Sequence, residues 1–515
     1  MQTIGSDRSG FLPALPYNCK MTPAADALTA RPRIAIAGAT GFIGRALIEA
    51  LASSCDLVAL TRAANASSPE HAGASLEWRS CDLFSLSDSE HALAGVDAAF
   101  YLVHSMMPSA RLTQGTFADM DLLCADNFAR AARSNGVRHI VYLGGLLPPA
   151  AESSDLSQHL ESRLEVERTL GAYGVPVTTL RAGMVVGAGG SSFEMMTRLV
   201  GRLPFMVGPR WMRSLSQAVA LEDVVTLLRF ALDHPELAGE AYDVGCPDVL
   251  SYADMLRLTG DVLGRHTRVL TLPVRTARLS LLWVSVITGA SRELVRPLLD
   301  SLRHDLVARD GLRLQHLAGL STVPLRTSIE RALAATKAAA RGIARKKTGA
   351  RAPRADSRVR SVQRLPLPAG CDARWVATEY SRWLPQFMAP FLRVDIDDHK
   401  SCTFRFWPLP WPLLVLTFAA ERSTSDRQLF FVTGGFLARH VETTGPGSSA
   451  RLEFRSVLGG RFVLAAIHDF VPRLPWLLYT ATQALVHLLV MRRFARHLAR
   501  VSGQGHGDAV PGLSR

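Results

Sequence analysis

The chain has 515 residues, 48% of them apolar and 20% charged, with a formal net charge of +13. That length exceeds one ordinary core and the composition is globular, which excludes a fibrous or wholly disordered chain and makes two domains the expectation. The positive excess is concentrated, because Lys337, Arg341, Arg345, Lys346, Lys347, Arg351, Arg354, Arg358, Arg360 and Arg364 oppose only Asp356; it reads as a solvated linker, with attraction to an anionic membrane as the competing use, and argues against a nucleic-acid-binding face.

Residues 1–30 contain Pro13, Pro16 and Pro23 and no apolar run long enough for a signal peptide. A disordered tail on a cytoplasmic chain is expected. Strand character follows at Arg33–Ala37, Asp56–Leu60, Leu76–Ser80, Ala98–Val103, His139–Leu143 and Val177–Arg181. Helical periods lie between them, notably Phe117–Ser134 and Leu156–Leu170, with Gly136 and Gly171 just past their ends, where a left-handed residue is wanted. Strands alternating with helices predict a parallel sheet covered on both faces. Beyond Arg181 the pattern is less regular: a helix over Glu222–Leu232, a strand over Ala241–Val244, and Ser251 as cap of a helix over Tyr252–Leu263.

The C-terminal part is built differently. Thr403–Trp407, Leu413–Ala420, Gln428–Thr433, Ala450–Ser456 and Arg461–His468 read as strands. Trp476–Arg500 reads as one amphipathic helix, with Arg492, Arg493, Arg496 and Arg500 suited to its C-terminal end. The fold expectation is therefore α/β: a doubly wound parallel-sheet Rossmann domain followed by an α+β domain, an antiparallel sheet packed on a long C-terminal helix. The expected boundaries are a tail over 1–30, a nucleotide domain over 31–335 with its substrate subregion at about 182–335, a basic disordered linker over 336–364, the α+β domain over 365–503 and a tail over 504–515.

Seven cysteines, odd in number and without C-x-x-C spacing, read as buried thiols in a reducing compartment. No span of about 20 apolar residues is uninterrupted. Leu279–Ala290, Trp407–Ala420 and Leu474–Met491 come nearest, and they read as buried or interfacial elements offering peripheral contact at an inner membrane surface. Trp407, Trp411, Trp476 and Tyr479 suit an aromatic lining or interfacial belt, or an ordinary core. Asp395, Asp397, Asp398 and His399 fit no metal-ligand spacing and read as a solvated turn, so no metal is expected. His468-Asp469 has no nucleophile placed near it by the sequence.

The motif that carries most information is Gly38-Ala-Thr40-Gly41-Phe42-Ile43-Gly44, between the first strand and its helix. Backbone that must approach a pyrophosphate cannot carry a Cβ, and the helix N-terminus supplies unpaired N–H donors. At the end of the second strand, where an acidic side chain would select NAD, stands Thr61-Arg62; a guanidinium there suits a 2′-phosphate, with Arg45 near enough to help. NADP is the expected cofactor, with NAD as the alternative.

The glycine pattern with Asp82-Leu83 after the third strand, Leu102-Val-His104-Ser105-Met106 after the fourth, Leu180-Arg-Ala-Gly183-Met-Val-Val-Gly187-Ala-Gly189 after the sixth, and Leu250-Ser-Tyr-Ala-Asp-Met-Leu256 resembles the extended and atypical short-chain dehydrogenase/reductases, most of all the NmrA-like branch. The resemblance spans Arg33 to Leu325. It implies that Asp82 contacts adenine with Leu83 beside it, that His104 lines the cofactor groove unless it is a satisfied structural histidine, and that substrate is bound after the sixth strand. It also implies a Tyr-x-x-x-Lys pair and a strand-end serine, and this chain has none of the three. The pair's positions read His159 and Arg163, and the strand end reads Leu143-Gly144-Gly145.

Two expectations follow. His159, with Arg163 one turn away, replaces the tyrosine as acid/base in an NADP-dependent oxidoreductase or epimerase for a small or lipid-like carbonyl compound. Alternatively both are ordinary polar residues, and the chain is a catalytically inactive NADP(H)-reading sensor or scaffold of the NmrA-like kind. The C-terminal domain resembles helix-grip domains in topology alone.

Overall fold

A computed structural model describes residues 31–62, 76–104, 112–148, 156–272, 299–343, 358–407, 409, 411–438 and 450–503. The expected tails, the apolar stretch Leu279–Ala290, and Ser105 and Met106 lie outside these residues.

The first half runs β1 (Arg33–Ala37), α1 (Phe42–Leu51), β2 (Asp56–Thr61), β3 (Leu76–Ser80), α2 (Leu86–Ala92), β4 (Ala98–Tyr101), β5 (Leu112–Gln114), α3 (Phe117–Ser134), β6 (His139–Gly145), α4 (Gln158–Leu170) and β7 (Val177–Ala182). Strand Ala241–Val244, β7, β6, β4, β1, β2 and β3 form, in that order, a seven-stranded sheet whose pairs are all parallel. This is the expected doubly wound Rossmann sheet. The order reverses between β1 and β4, and the crevice at that switch point is where such a sheet takes its ligand. β1 shows why both faces are filled: Ile34 and Ile36 pack with Leu47 and Leu51 of α1, while Ala35 and Ala37 face Phe128 and Ala129 of α3. The small side chains let α3 approach closely, in keeping with the period-two alternation of a strand. Helix starts follow side-chain caps: Ser85, Thr116, Ser157 and Ser251 each accept from the backbone N–H three residues on. After β7, helices Ser191–Arg202 and Tyr252–Val262 pack with Leu325, Ile329 and Ala332 into a separate apolar cluster.

The second sheet has eight strands in the order Leu392–Ile396, Cys402–Phe406, Pro412–Phe418, Arg427–Gly434, Arg451–Val457, Phe462–Phe470, Val359–Pro366 and β5. Every pair is antiparallel except the last. Helices Ala373–Phe387 and Gln483–Val501 cover one face through Val376, Leu384, Phe494 and Leu498. An antiparallel sheet on a long terminal helix was expected, but three features differ from the sequence reading. The terminal helix breaks at Thr482 (φ −125°, ψ −81°) into Trp476–Ala481 and Gln483–Val501. The stretch 336–364 is ordered at both ends, since helix Leu325–Ile343 enters it and strand Val359–Pro366 leaves it. The edge strand β5 comes from the nucleotide domain.

The last two differences share a cause. Arg360 and Arg364 do not belong to a solvated run; their partners are acids hundreds of residues away. Arg364 grips Glu165 with both terminal nitrogens (2.7 and 2.8 Å) and reaches Asp119 at 2.7 Å. Arg360 pairs with Asp82 and Asp469. Arg455, buried, binds Asp126 at 2.7 Å and also Glu453, which Arg427 meets at 2.6 Å. Burial alone would raise the Glu453 pKa; Arg455 and Arg427 outweigh it and hold the carboxylate ionised. Helix α3 therefore has protein on both sides, and 14 of its 18 residues are buried.

Candidate nucleotide and substrate site

The glycine loop has the geometry a dinucleotide cradle requires. Gly38 sits at φ +93°, and a Cβ there would come within 3.0 Å of the Leu102 carbonyl oxygen. A Cβ on Gly44 would lie 2.3 Å from the Gly38 carbonyl oxygen. The turn is closed by Gly41 N donating to that same oxygen at 2.9 Å. Gly41 caps α1 in extended conformation, with no side-chain cap and no acidic residue in the first turn. The open amide end thus faces outward at Thr40 and Gly41, which are exposed. These residues fit a pyrophosphate on both counts, close approach and donors. Phe42 and Ile43 are half-buried behind the loop. A Cβ on Gly187 would meet the Phe42 ring at 2.8 Å, so the segment after β7 closes against the glycine motif.

Arg62 is exposed at the end of β2, beside the crevice. Asp82 follows β3, with its carboxylate engaged by Arg360, and the Leu83 carbonyl accepts from Asn127 Nδ2 at 2.8 Å. His104 follows β4, and its Nδ1 lies 2.7 Å from Asp121 Oδ2.

His159 and Arg163 come out on the same side of α4, but they do different things. Arg163 turns back to the sheet, donating to the Leu143 carbonyl and to that of Val103 (3.5 Å), with its guanidinium 5.0 Å from the Tyr142 ring centre. His159 instead stacks obliquely on His104, with ring centres 5.0 Å apart. Burial, then His104 and Arg163, push its pKa down to about 3, so the imidazole is neutral. Its Nδ1 and the Nε2 of His104 are buried without a hydrogen-bond partner. Sequence reading missed Asp121 and Ser162, whose hydroxyl donates to Asp121 at 3.5 Å, and Phe117, whose ring is 6.4 Å from that of His104. The signal for Asp121 was its place on an α3 face otherwise made of Phe117, Ala118, Cys124, Ala125 and Phe128.

His159 also lines a cavity of about 280 Å³ between the sheet end and the helices that follow β7. Gly145 and Gly183 form its sheet side, and Met196, Trp211, Met255 and Tyr252 its far wall. The lining is apolar and deformable, as methionine-rich walls are. Burial raises the Tyr252 phenol to about 12 despite its bond to Ser216, so it stays protonated. Among the described residues no group of three or more His, Cys, Asp or Glu is placed to hold a metal ion.

Fold and crevice together define a Rossmann-type dinucleotide-binding protein. Residues 38–199 match the NAD(P)H-binding family, so this part of the chain is an NAD(P)H-binding domain. The resemblance drawn from the sequence holds over this region, and the family match does not extend to the C-terminal domain. The auxiliary protein GraX of Staphylococcus aureus is 30% identical over 149 residues, which are 29% of this chain and 43% of that protein, so the chain spans less than half the length of the curated relative it matches. Among solved structures, a Staphylococcus aureus nucleoside-diphosphate-sugar epimerase is 14% identical, covering 58% of this chain and 99% of its own at a TM-score of 0.46. A Citrobacter triphenylmethane reductase complexed with NADP(H) is 20% identical, with 58% and 99% covered and a TM-score of 0.46. An Escherichia coli NADPH-dependent quinone oxidoreductase complexed with NADPH is 20% identical, with 57% and 98% covered and a TM-score of 0.45.

Proposed function

We propose that the chain is an NADP-dependent oxidoreductase or epimerase that acts on a small or lipid-like carbonyl compound without the usual tyrosine and lysine. The observation that carries this reading is His159: neutral, unpartnered at Nδ1, packed on His104 beyond β4, and lining an apolar cavity. When bound, NADP(H) supplies or accepts the hydride. The glycine loop and α1 hold its pyrophosphate, Arg62 its 2′-phosphate, and Asp82 and Leu83 border its adenine. NAD is the alternative cofactor. His159 donates an N–H to the substrate oxygen and so stabilises the charge that develops there; a neutral imidazole suffices for this, as in other enzymes that polarise a carbonyl. His104, held at Nδ1 by Asp121, packs against the His159 ring and fixes its orientation. The chain works in the cytoplasm, and its C-terminal half gives peripheral contact with the inner membrane surface. No helix among the described residues is long and apolar enough to cross a membrane.

One observation favours the second reading, an NADP(H) sensor that does not turn over. The Arg163 guanidinium is tied to strand-end carbonyls and cannot do the work of the missing lysine. Fluorescence titration with NADPH, run beside turnover assays on quinones, aldehydes and nucleotide-sugars, separates the two. Tight binding with turnover supports the enzyme, tight binding with none selects the sensor, and no binding of either dinucleotide ends both.

A further inference from the structure

A second cavity, of about 300 Å³, lies inside the C-terminal domain between its sheet and helix Gln483–Val501. Its wall is almost wholly apolar, with one polar pole. There Ser361 Oγ and His487 Nε2 are 3.0 Å apart, and the Gln483 amide oxygen is buried without a partner. Burial pushes His487 down to about 4, so the pole carries no charge. An unpaired acceptor at the end of an apolar chamber suits an apolar molecule that brings one donor, and repels a carboxylate.

The chain neighbours of this wall form an exposed aromatic rim. Phe406 and Leu437 line the cavity, while Trp407 and Phe436 beside them are exposed. Backbone bonds from Trp407 to Phe391, Phe436 to Pro412 and Arg473 to Leu437 tie these loops into one end of the domain. Trp407 and Trp411 are each 61% exposed, and Leu477 is 82% exposed. From there the outer stripe of the terminal helix runs Leu485, Leu489, Arg492, Arg493, Arg496, apolar first and then basic, and all of these are exposed. Asp397 and Asp398 sit at the opposite end of the strand pair Leu392–Ile396 and Cys402–Phe406. Exposed tryptophans flanked by arginines, with the acids turned away, match the interface of an anionic bilayer.

We propose that this domain docks its aromatic rim on an anionic bilayer and takes from it a lipid-derived alcohol, whose chain fills the cavity and whose hydroxyl donates to Gln483. The site is a different cavity from the one beside His159, and the inference stands whatever the cofactor titration shows. Full-length protein is titrated with 1-aminoanthracene, and the bound probe is displaced with decanol or with decyl methyl ether, which lacks the donor. Decanol is expected to compete about five- to tenfold better, the worth of one neutral hydrogen bond, and Gln483→Leu should erase that preference. Sedimentation with phosphatidylglycerol vesicles should exceed that with phosphatidylcholine vesicles and fall about tenfold in the surface variant Trp407→Ser/Trp411→Ser. Absence of saturable probe binding, or equal displacement by alcohol and ether in the unmodified chain, overturns the ligand. Equal sedimentation with both vesicles, or a dimer that the Trp variant dissolves, overturns the docking.

Discussion

Replacing Gly44 by Ala tests the cradle at its tightest point. The added Cβ would stand 2.3 Å from the Gly38 carbonyl oxygen and 2.8 Å from the Ala39 Cα, both of them backbone. Neither can rotate away, so α1 must move off β1 by roughly 1 Å to restore ordinary contact. Overpacking of this kind costs about 1–3 kcal/mol, which for a unit of this size lowers the melting temperature by about 2–10 °C. The larger effect falls on the ligand. If the shift breaks one or two charge-assisted bonds from the α1 amides to phosphate, at about 1.5–3 kcal/mol each, NADPH affinity drops at least tenfold. Gly136→Ala is the control: that glycine has φ +69° and nothing within 4 Å of a new Cβ. Its backbone strain costs about 1 kcal/mol and should leave NADPH binding unchanged. Fluorescence titration and thermal unfolding of both variants decide the matter. Unaltered NADPH affinity in Gly44→Ala would show that the loop does not hold the dinucleotide, whatever the stability change.

Three further outcomes are expected. Arg62→Asp should reverse the preference between NADPH and NADH by about tenfold or more, since one charge-assisted pair is lost and a ribose acceptor gained; unchanged relative affinities would remove Arg62 from the cofactor site. His159→Ala should lower turnover by about 10²–10⁴ while sparing NADPH affinity, and undiminished turnover would place the proton elsewhere. Stability should fall in mild acid, because burial holds His159 and His468 to about 3 and His487 to about 4, against 6.5 for an ordinary imidazole. The unfolded chain takes up these protons more readily, so the stability they confer is full above about pH 6.5 and is lost as pH falls toward the folded values, approaching about 1.4 kcal/mol per pH unit for each histidine. A urea midpoint that stays level between pH 7 and 5 would contradict this.

The nucleotide half was legible because its information is local. Alternating β1, the three glycines of its turn, Gly136 beyond α3 and the Ser251 cap each act within a few residues of themselves, and the structure keeps every one. The antiparallel strands after residue 400 were legible for the same reason. Strand Val359–Pro366 was not, because Arg360 and Arg364 make it look solvated, and the acids that neutralise them lie in Asp82, Asp119 and Glu165, about 200–280 residues earlier in the chain. β5 was missed because three residues carry too little period to register, and its pairing partner is nearly 250 residues away. At the site, spacing located His159 and Arg163 correctly on one face of α4. It could not tell that one would turn to the sheet and the other to the cavity, since that depends on the carbonyls of Leu143 and Val103.

Helix α3 is the member on which these parts converge. On one side Asp121 fixes His104, and through it the ring against which His159 lies. On the other, Asp119 and Asp126 take up Arg364 and Arg455 of the second sheet. Its entry residues continue from β5, whose Gln114 lines the C-terminal cavity and donates to the Ala484 carbonyl at 3.1 Å. Phe117, three residues on, packs beside His104 and His159. A buried carboxylate left without its arginine is costly, by about 3–5 kcal/mol where one partner of such a pair is removed. Neither half of this chain can therefore present its surface of α3 or β5 to water without losing stability, so the two sheets are one structural unit built on either side of α3.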